Sequence, residues 1–100
     1  MRSYEFHPEA QAELLEITQR YLSQDEAVGE DFRAEVRRAV ESILENPEAS
    51  QVIAAHGVRR KVLQRFPHGL YYILRAGCVF IIALGHHKRR PGYWRERLKP

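Results

Sequence analysis

Apolar residues recur at two different periods along this chain. Ala10, Leu14, Ile17 and Tyr21 are spaced as one face of a helix, and Leu15 and Leu22 widen that stripe. Phe32, Val36, Ala39, Val40, Ile43 and Leu44 repeat the spacing and predict a second helix. Pro8 suits the first helical position, where its missing N–H costs nothing, and Glu9 and Glu13 suit the positive end of the dipole. Asp25 follows the Ser23-Gln24 break and predicts an N-cap. Gly29 predicts that the regular helix starts only after it, and Asn46-Pro47 ends it. The short connection predicts an antiparallel helical hairpin.

Beyond residue 57 the period shortens. Residues 78–84 are a continuous apolar run, too short for a helix, and predict a strand buried on both faces inside a sheet. Val58, Val62 and Phe66 alternate with Arg59, Lys61 and Arg65, as in a strand with one cationic face, although Arg60 and Leu63 interrupt the alternation. Pro67-His68-Gly69 reads as a turn, residues 70–74 as a strand, and Arg75-Ala76-Gly77 as a tight turn. These three strands form an antiparallel meander. Tyr4 and Phe6 predict a first strand over residues 2–6, and residues 48–57 read as a loop. Pro91 can start a short final helix through Tyr93, Trp94 and Leu98. The expected order is β-α-α-β-β-β with a short C-terminal helix or tail. The class is α+β, a helical hairpin packed on a small antiparallel sheet. Residues 1–100 are expected to be a single domain.

Charge divides the chain. Residues 1–50 carry five Lys/Arg against twelve Asp/Glu, and residues 51–100 carry eleven against one, so a net +3 conceals a balance of −7 and +10. This predicts either a basic face that meets an anionic partner, or two halves that neutralise each other in the fold. No apolar run approaches the ~20 residues of a membrane span, and the first residues lack a signal-peptide apolar region. The lone Cys78 excludes an internal disulfide framework and fits a reducing compartment. A cytoplasmic protein without membrane contact is expected.

The residue types for RNA cleavage are present: His86 or His87 as acid or base, Arg59, Lys61, Arg65, Arg75 and Arg89 as a positive field, and Tyr71, Tyr72, Tyr93 and Trp94 to stack bases. The same aromatics also read as core. Adjacent His86 and His87 point to opposite sides of a strand and cannot chelate together, so no metal is expected. Cys78 reads as core, and no Gly-rich phosphate loop occurs, so no cofactor is expected. Glu96 is expected to pair with Arg95 or Arg97. A third possibility is a non-catalytic binding module whose basic half meets a partner's acids or a nucleic-acid backbone.

The segments FHPEAQAELLEI, FRAEVRRAVESILENP, VRRKVLQRFPHGLYYIL and ALGHHKRRPGYW, in that order, resemble the RelE/ParE superfamily of toxins from type II toxin–antitoxin systems, closest to its ParE-like branch. The resemblance implies a helical hairpin against a small sheet, and a toxin neutralised by a cognate antitoxin whose other end binds operator DNA. Leu15, Leu22, Val28 and Phe32 are the candidate anchors for that antitoxin. ParE-like members imply inhibition of DNA gyrase without a catalytic site. A basic patch of Arg59, Arg60, Lys61, Arg65, His87, Lys88, Arg89 and Arg90 would then bind the target. RelE-like members imply mRNA cleavage on the ribosome, which here would use Arg59, Lys61, Tyr72, Arg75 and His86. The chain continues through residues 90–94 where a RelE-like catalytic His or Tyr would close it, a departure that favours the gyrase reading.

Overall fold

The chain passes from its first strand, β1 (Ser3–Phe6), into its first helix, α1 (Pro8–Gln24), through His7 alone. The His7 ring accepts the Glu9 amide at 3.0 Å and caps the helix, with Pro8 beginning it. The computed structural model describes residues 2–99. Asp25 caps the second helix, α2 (Glu26–Glu45), by accepting the amides of Ala27 and Val28 at 2.8 and 3.3 Å. Asn46 ends it.

Gly29 does not delay α2, contrary to the expectation from sequence. It is buried inside the regular helix against α1, and a Cβ there would collide with the Leu22 side chain and stand 2.9 Å from Leu22 Cα. The residue is a packing glycine that lets the hairpin close.

Four further strands follow: β2 (Val52–Ala54), β3 (Val58–Val62), β4 (His68–Arg75) and β5 (Cys78–His86). The sheet order is β1-β5-β4-β3-β2. The α+β class and the hairpin-on-sheet arrangement agree with expectation, but the sheet has five strands and is mixed, because β1 pairs with β5 in parallel. Residues 48–57, expected as a loop, contain β2 and a 3₁₀ turn (Ala55–Gly57). Three residues on a sheet edge carry too little periodicity to be read from sequence. His68, expected within a turn, begins β4, and Leu63 closes the preceding loop by donating its amide to the His68 carbonyl at 3.0 Å. Ala76 and Gly77, both at positive φ (47° and 79°), form the two-residue turn between β4 and β5.

Both faces of the sheet are covered. Phe32, Val36, Val40 and Ile43 of α2 belong to one core with Leu70, Tyr72, Val79, Ile81 and Leu84. On the other face, Val58, Tyr71, Ile73, Ile82 and Ala83 are sealed by Trp94, which is 3% exposed. This double cover explains the unbroken apolar run of β5. The expected final helix is a 3₁₀ turn (Arg95–Leu98) following Trp94. No helix of the described residues is long and apolar enough to cross a membrane.

Gly29→Ala should destabilise the protein by about 1–3 kcal/mol through overpacking, despite the ~1 kcal/mol that alanine gains in helix propensity. Urea unfolding checks this; an equal or higher midpoint in the variant contradicts the close-packing role.

Candidate functional site

β1 stops at Phe6, and its last backbone link to β5 is the His7 amide donating to the Ile81 carbonyl at 2.8 Å. The β4–β5 register shifts at the same place: Tyr71 faces Ala83 and Tyr72 faces Ile81, leaving Ile82 extra. Two side chains take over where the strand ends. Glu13 of α1 accepts the Leu84 amide at 3.0 Å, and Arg97 donates to the Ile82 carbonyl at 3.0 Å. Arg97 also grips Glu13 through two hydrogen bonds of 2.8 and 2.9 Å, with the two side chains only 8% and 15% exposed. This clamp fixes the C-terminal segment to α1.

Tyr93 fits beside it. Any side chain at Gly85 would collide with the Tyr93 hydroxyl. Arg89 and Arg97 lie over its ring, 3.8 and 5.1 Å from the centroid. Burial, then the nearby Glu13 charge, pushes the Tyr93 phenol well above its usual range, so it stays neutral.

The sequence-predicted cations do not form one patch. Arg59 faces Tyr72 in the ladder and Lys61 faces Leu70, on the helix side of the sheet, whereas Arg60 faces Tyr71 on the opposite side. Arg59 is spent on backbone, donating to the carbonyls of Glu48 and Ser50 at 3.1 and 2.6 Å. Arg65 is neutralised by Asp31 at 3.4 Å and Glu35 at 3.6 Å. Glu35, unremarked in the sequence, is buried in α2 and also accepts the amides of Gln64 and Arg65. His87, Lys88, Arg89 and Arg90 are exposed beyond β5. Arg60, His87, Arg89 and Arg95 surround one hollow of about 160 Å³ against Tyr71 and Trp94. Arg95 was missed because nothing local marks which cation of the tail turns toward the sheet. Glu96 pairs with Lys99 at 3.0 Å, not with Arg95 or Arg97.

The RelE-like set of Arg59, Lys61, Tyr72, Arg75 and His86 is not brought to one place, whereas His87 and Arg89, also expected for RNA cleavage, share the hollow with Tyr71 and Trp94. Arg75 pairs with Cys78 at the turn of the β4–β5 hairpin, and His86 pairs with His68 at its other end, roughly 25 Å away at strand rise. Arg75 covers the Phe80 ring at 4.3 Å. Tyr72 is fully buried and donates its hydroxyl to the Pro47 carbonyl at 2.7 Å. Tyr71 and Trp94 are core, their rings 5.7 Å apart. His68 touches His86, ring centroids 5.2 Å apart, and is 4% exposed. Its pKa is lowered to about 4 by burial, with smaller contributions from the charges of His86, His87 and Arg20. Among the described residues no group of three or more His, Cys, Asp or Glu could hold a metal ion.

An apolar groove of about 470 Å³ runs between α1, α2 and β1. Of the four predicted anchors, Leu15 lines it and is 60% exposed. Phe32 is fully buried among Tyr21, Phe66 and His68, so it cannot anchor a partner. Leu22 is half-buried against Gly29, and Val28 is exposed away from the groove lining. Tyr4, Phe6, Leu14, Val36, Val40 and Leu44 also line the groove. In the sequence they read only as stripe and strand positions.

The sequence matches the family described as ParE toxin of type II toxin–antitoxin system, parDE, over residues 4–91. No curated protein matches it. A solved structure from P. aeruginosa, described as a chromosomal ParDE TA system, superposes with a TM-score of 0.65 at 22% identity, covering 86% of this chain and 96% of that one. At that identity the likeness is one of fold.

Burial of neutral His68 sets a pH dependence. Between pH 6.5 and about 4 the unfolded chain takes up a proton that the folded chain refuses, so stability falls as pH drops through that window. The loss is on the order of 3 kcal/mol, and above pH 6.5 it vanishes. His68→Gln should flatten the decline in urea-unfolding series across that window; an unchanged decline contradicts the assignment.

Proposed function

The chain belongs to the ParE toxin family of type II toxin–antitoxin systems, and on that footing we propose that it inhibits DNA gyrase by binding alone. The observation that carries this reading is the dispersal of the RelE-like set Arg59, Lys61, Tyr72, Arg75 and His86. Arg75 and His86 stand at opposite ends of one hairpin, and Tyr72 is locked in the core. A general acid or base must sit within hydrogen-bond reach of the atom it serves, and no substrate phosphate spans these positions. The exposed cations beyond β5 and around the tail serve association with an anionic target instead. Target and toxin meet in the cytosol.

A cognate antitoxin is the partner that the family supplies. We place its apolar segment in the groove between α1, α2 and β1, where Leu15 and Tyr4 are exposed. The outer edge of β1 borders that groove and is unpaired among the described residues, so an extended stretch of the same segment can add to the sheet. Operator DNA is reached through the antitoxin.

Two outcomes test this reading. Purified protein should block gyrase supercoiling while leaving ribosome-bound mRNA intact, and His86→Asn should inhibit as wild type does. Codon-positioned mRNA cuts that fall by ~10²-fold in His86→Asn would make the protein a ribonuclease. For the antitoxin, Leu15→Glu should weaken binding by at least roughly tenfold while leaving the toxin's own stability unchanged, because it would bury an unpaired charge only in the complex. Unaltered affinity would remove the groove from the interface.

A further inference from the structure

We infer that the hollow bounded by Arg60, His87, Arg89 and Arg95 is a phosphate-binding site for the backbone of DNA. The choice of DNA rests on the gyrase reading; the affinity for phosphate rests on the site itself.

Three guanidinium groups and an imidazole surround the hollow, and among the described residues no carboxylate lines it. Among the described residues, none of these arginines forms an ion pair, whereas Arg20, Arg33, Arg65 and Arg97 all do. Gathering like charges is unfavourable unless an anion joins them. Each of the three arginines nonetheless packs against a neighbouring residue. The Arg60 side chain lies against Gly69, where a Cβ would stand 3.2 Å from Arg60 Cγ. Arg89 is stacked on Tyr93 at 3.8 Å. Arg95 folds back over Gly92, which takes φ 77° and has no Cβ to stand 2.8 Å from the Arg95 guanidinium carbon. Two buried aromatics, Tyr71 and Trp94, form a rigid wall. The guanidinium fork matches two phosphate oxygens at once.

Size and surroundings argue for a phosphate over a protein side chain. About 160 Å³ is space for roughly five waters, enough for one phosphate group with its hydration and far too little for a helix. The polar part of the lining is wholly basic, the aromatics are buried, and the apolar part is confined to Ile53, Ala54 and Pro91, so an acidic peptide would find little to anchor its apolar residues. Lys88 and Arg90, exposed on the same loop, extend the positive charge past the hollow to neighbouring phosphates. Such a site positions the protein on DNA and reads no sequence, which leaves operator recognition with the antitoxin.

The test is fluorescence anisotropy of the full chain with a labelled duplex of about 20 base pairs, from about 50 to 200 mM salt. Wild type should bind with a steep salt dependence. Arg60→Gln with Arg95→Gln should weaken binding at least tenfold at the lowest salt and reduce the log–log salt slope by about two, one per cation removed. Arg75→Gln, which removes the same kind of charge at the far end of the hairpin, should change affinity less than about twofold. Arg60→Lys with Arg95→Lys should keep the slope and still lose affinity, because the fork is gone. Unaltered circular dichroism melts establish that each variant is folded.

The inference is overturned by absence of duplex binding in wild type, by an equal loss in Arg75→Gln, or by a polyglutamate peptide that binds tighter than DNA with the same dependence on Arg60 and Arg95. Gyrase assays separate this failure from that of the functional reading. If the Arg60→Gln/Arg95→Gln variant binds DNA and inhibits gyrase as wild type does, the inference falls and the reading stands. If the pocket governs DNA binding but wild type leaves gyrase untouched, the reading falls and the phosphate site stands.

Discussion

Where β1 ends, β5 still has a carbonyl and an amide facing outward with no strand to receive them. Buried backbone groups of this kind must be satisfied. The Glu13–Arg97 pair does so, joining the first helix to the last turn of the chain across the exposed end of the sheet. A buried ion pair is not in itself a source of stability, since desolvation offsets its attraction. Its value here is positional. Without Glu13, Arg97 keeps only the exposed Glu9 at 3.8 Å, and breaking such a buried pair costs about 3–5 kcal/mol. The tail therefore has one place to lie.

Three consequences follow from that fixed tail. Trp94 is laid on Tyr71 and closes the second core, which gives β5 its second buried face. Tyr93 is laid on Gly85 and carries Arg89 on its ring. Arg95 is brought to Arg60 and His87, which come from distant strands and loops. The helical hairpin and its groove lie on the other side of the sheet. The toxin thus has two separate surfaces, an apolar groove beside α1, α2 and β1 and a cationic hollow beneath the tail, both positioned by one mixed sheet.

Elements with local causes were legible in the sequence. Pro8, Asp25 and Asn46 mark helix ends through backbone chemistry confined to a few residues, and the apolar run of β5 records burial on both faces. Features with distant causes were not. Glu13 and Arg97 lie at opposite ends of the chain, so Glu13 read only as a charge suited to a helix start. Gly29 read as a breaker because its reason, Leu22, belongs to the neighbouring helix. The parallel partner of β5 is the first strand, which periodicity cannot assign. At the site, Arg59, Arg60 and Lys61 looked like one patch although alternation sends them to opposite faces, and Arg65 hid its partners on α2. Phe32 fitted an apolar stripe equally well as core or anchor, and only packing distinguishes the two.

The claim that a side-chain clamp builds the cationic face is tested most directly by amide hydrogen exchange on Glu13→Gln. Loss of protection should be local: the Leu84 amide and the amides of residues 92–99 should exchange roughly 10²-fold faster, matching a few kcal/mol, while α2 and the β3–β4 ladder keep wild-type protection. Wild-type protection throughout the tail would mean that the clamp does not hold it. A uniform loss across the whole molecule would mean that the pair stabilises the fold as a unit and does not fasten the tail in particular.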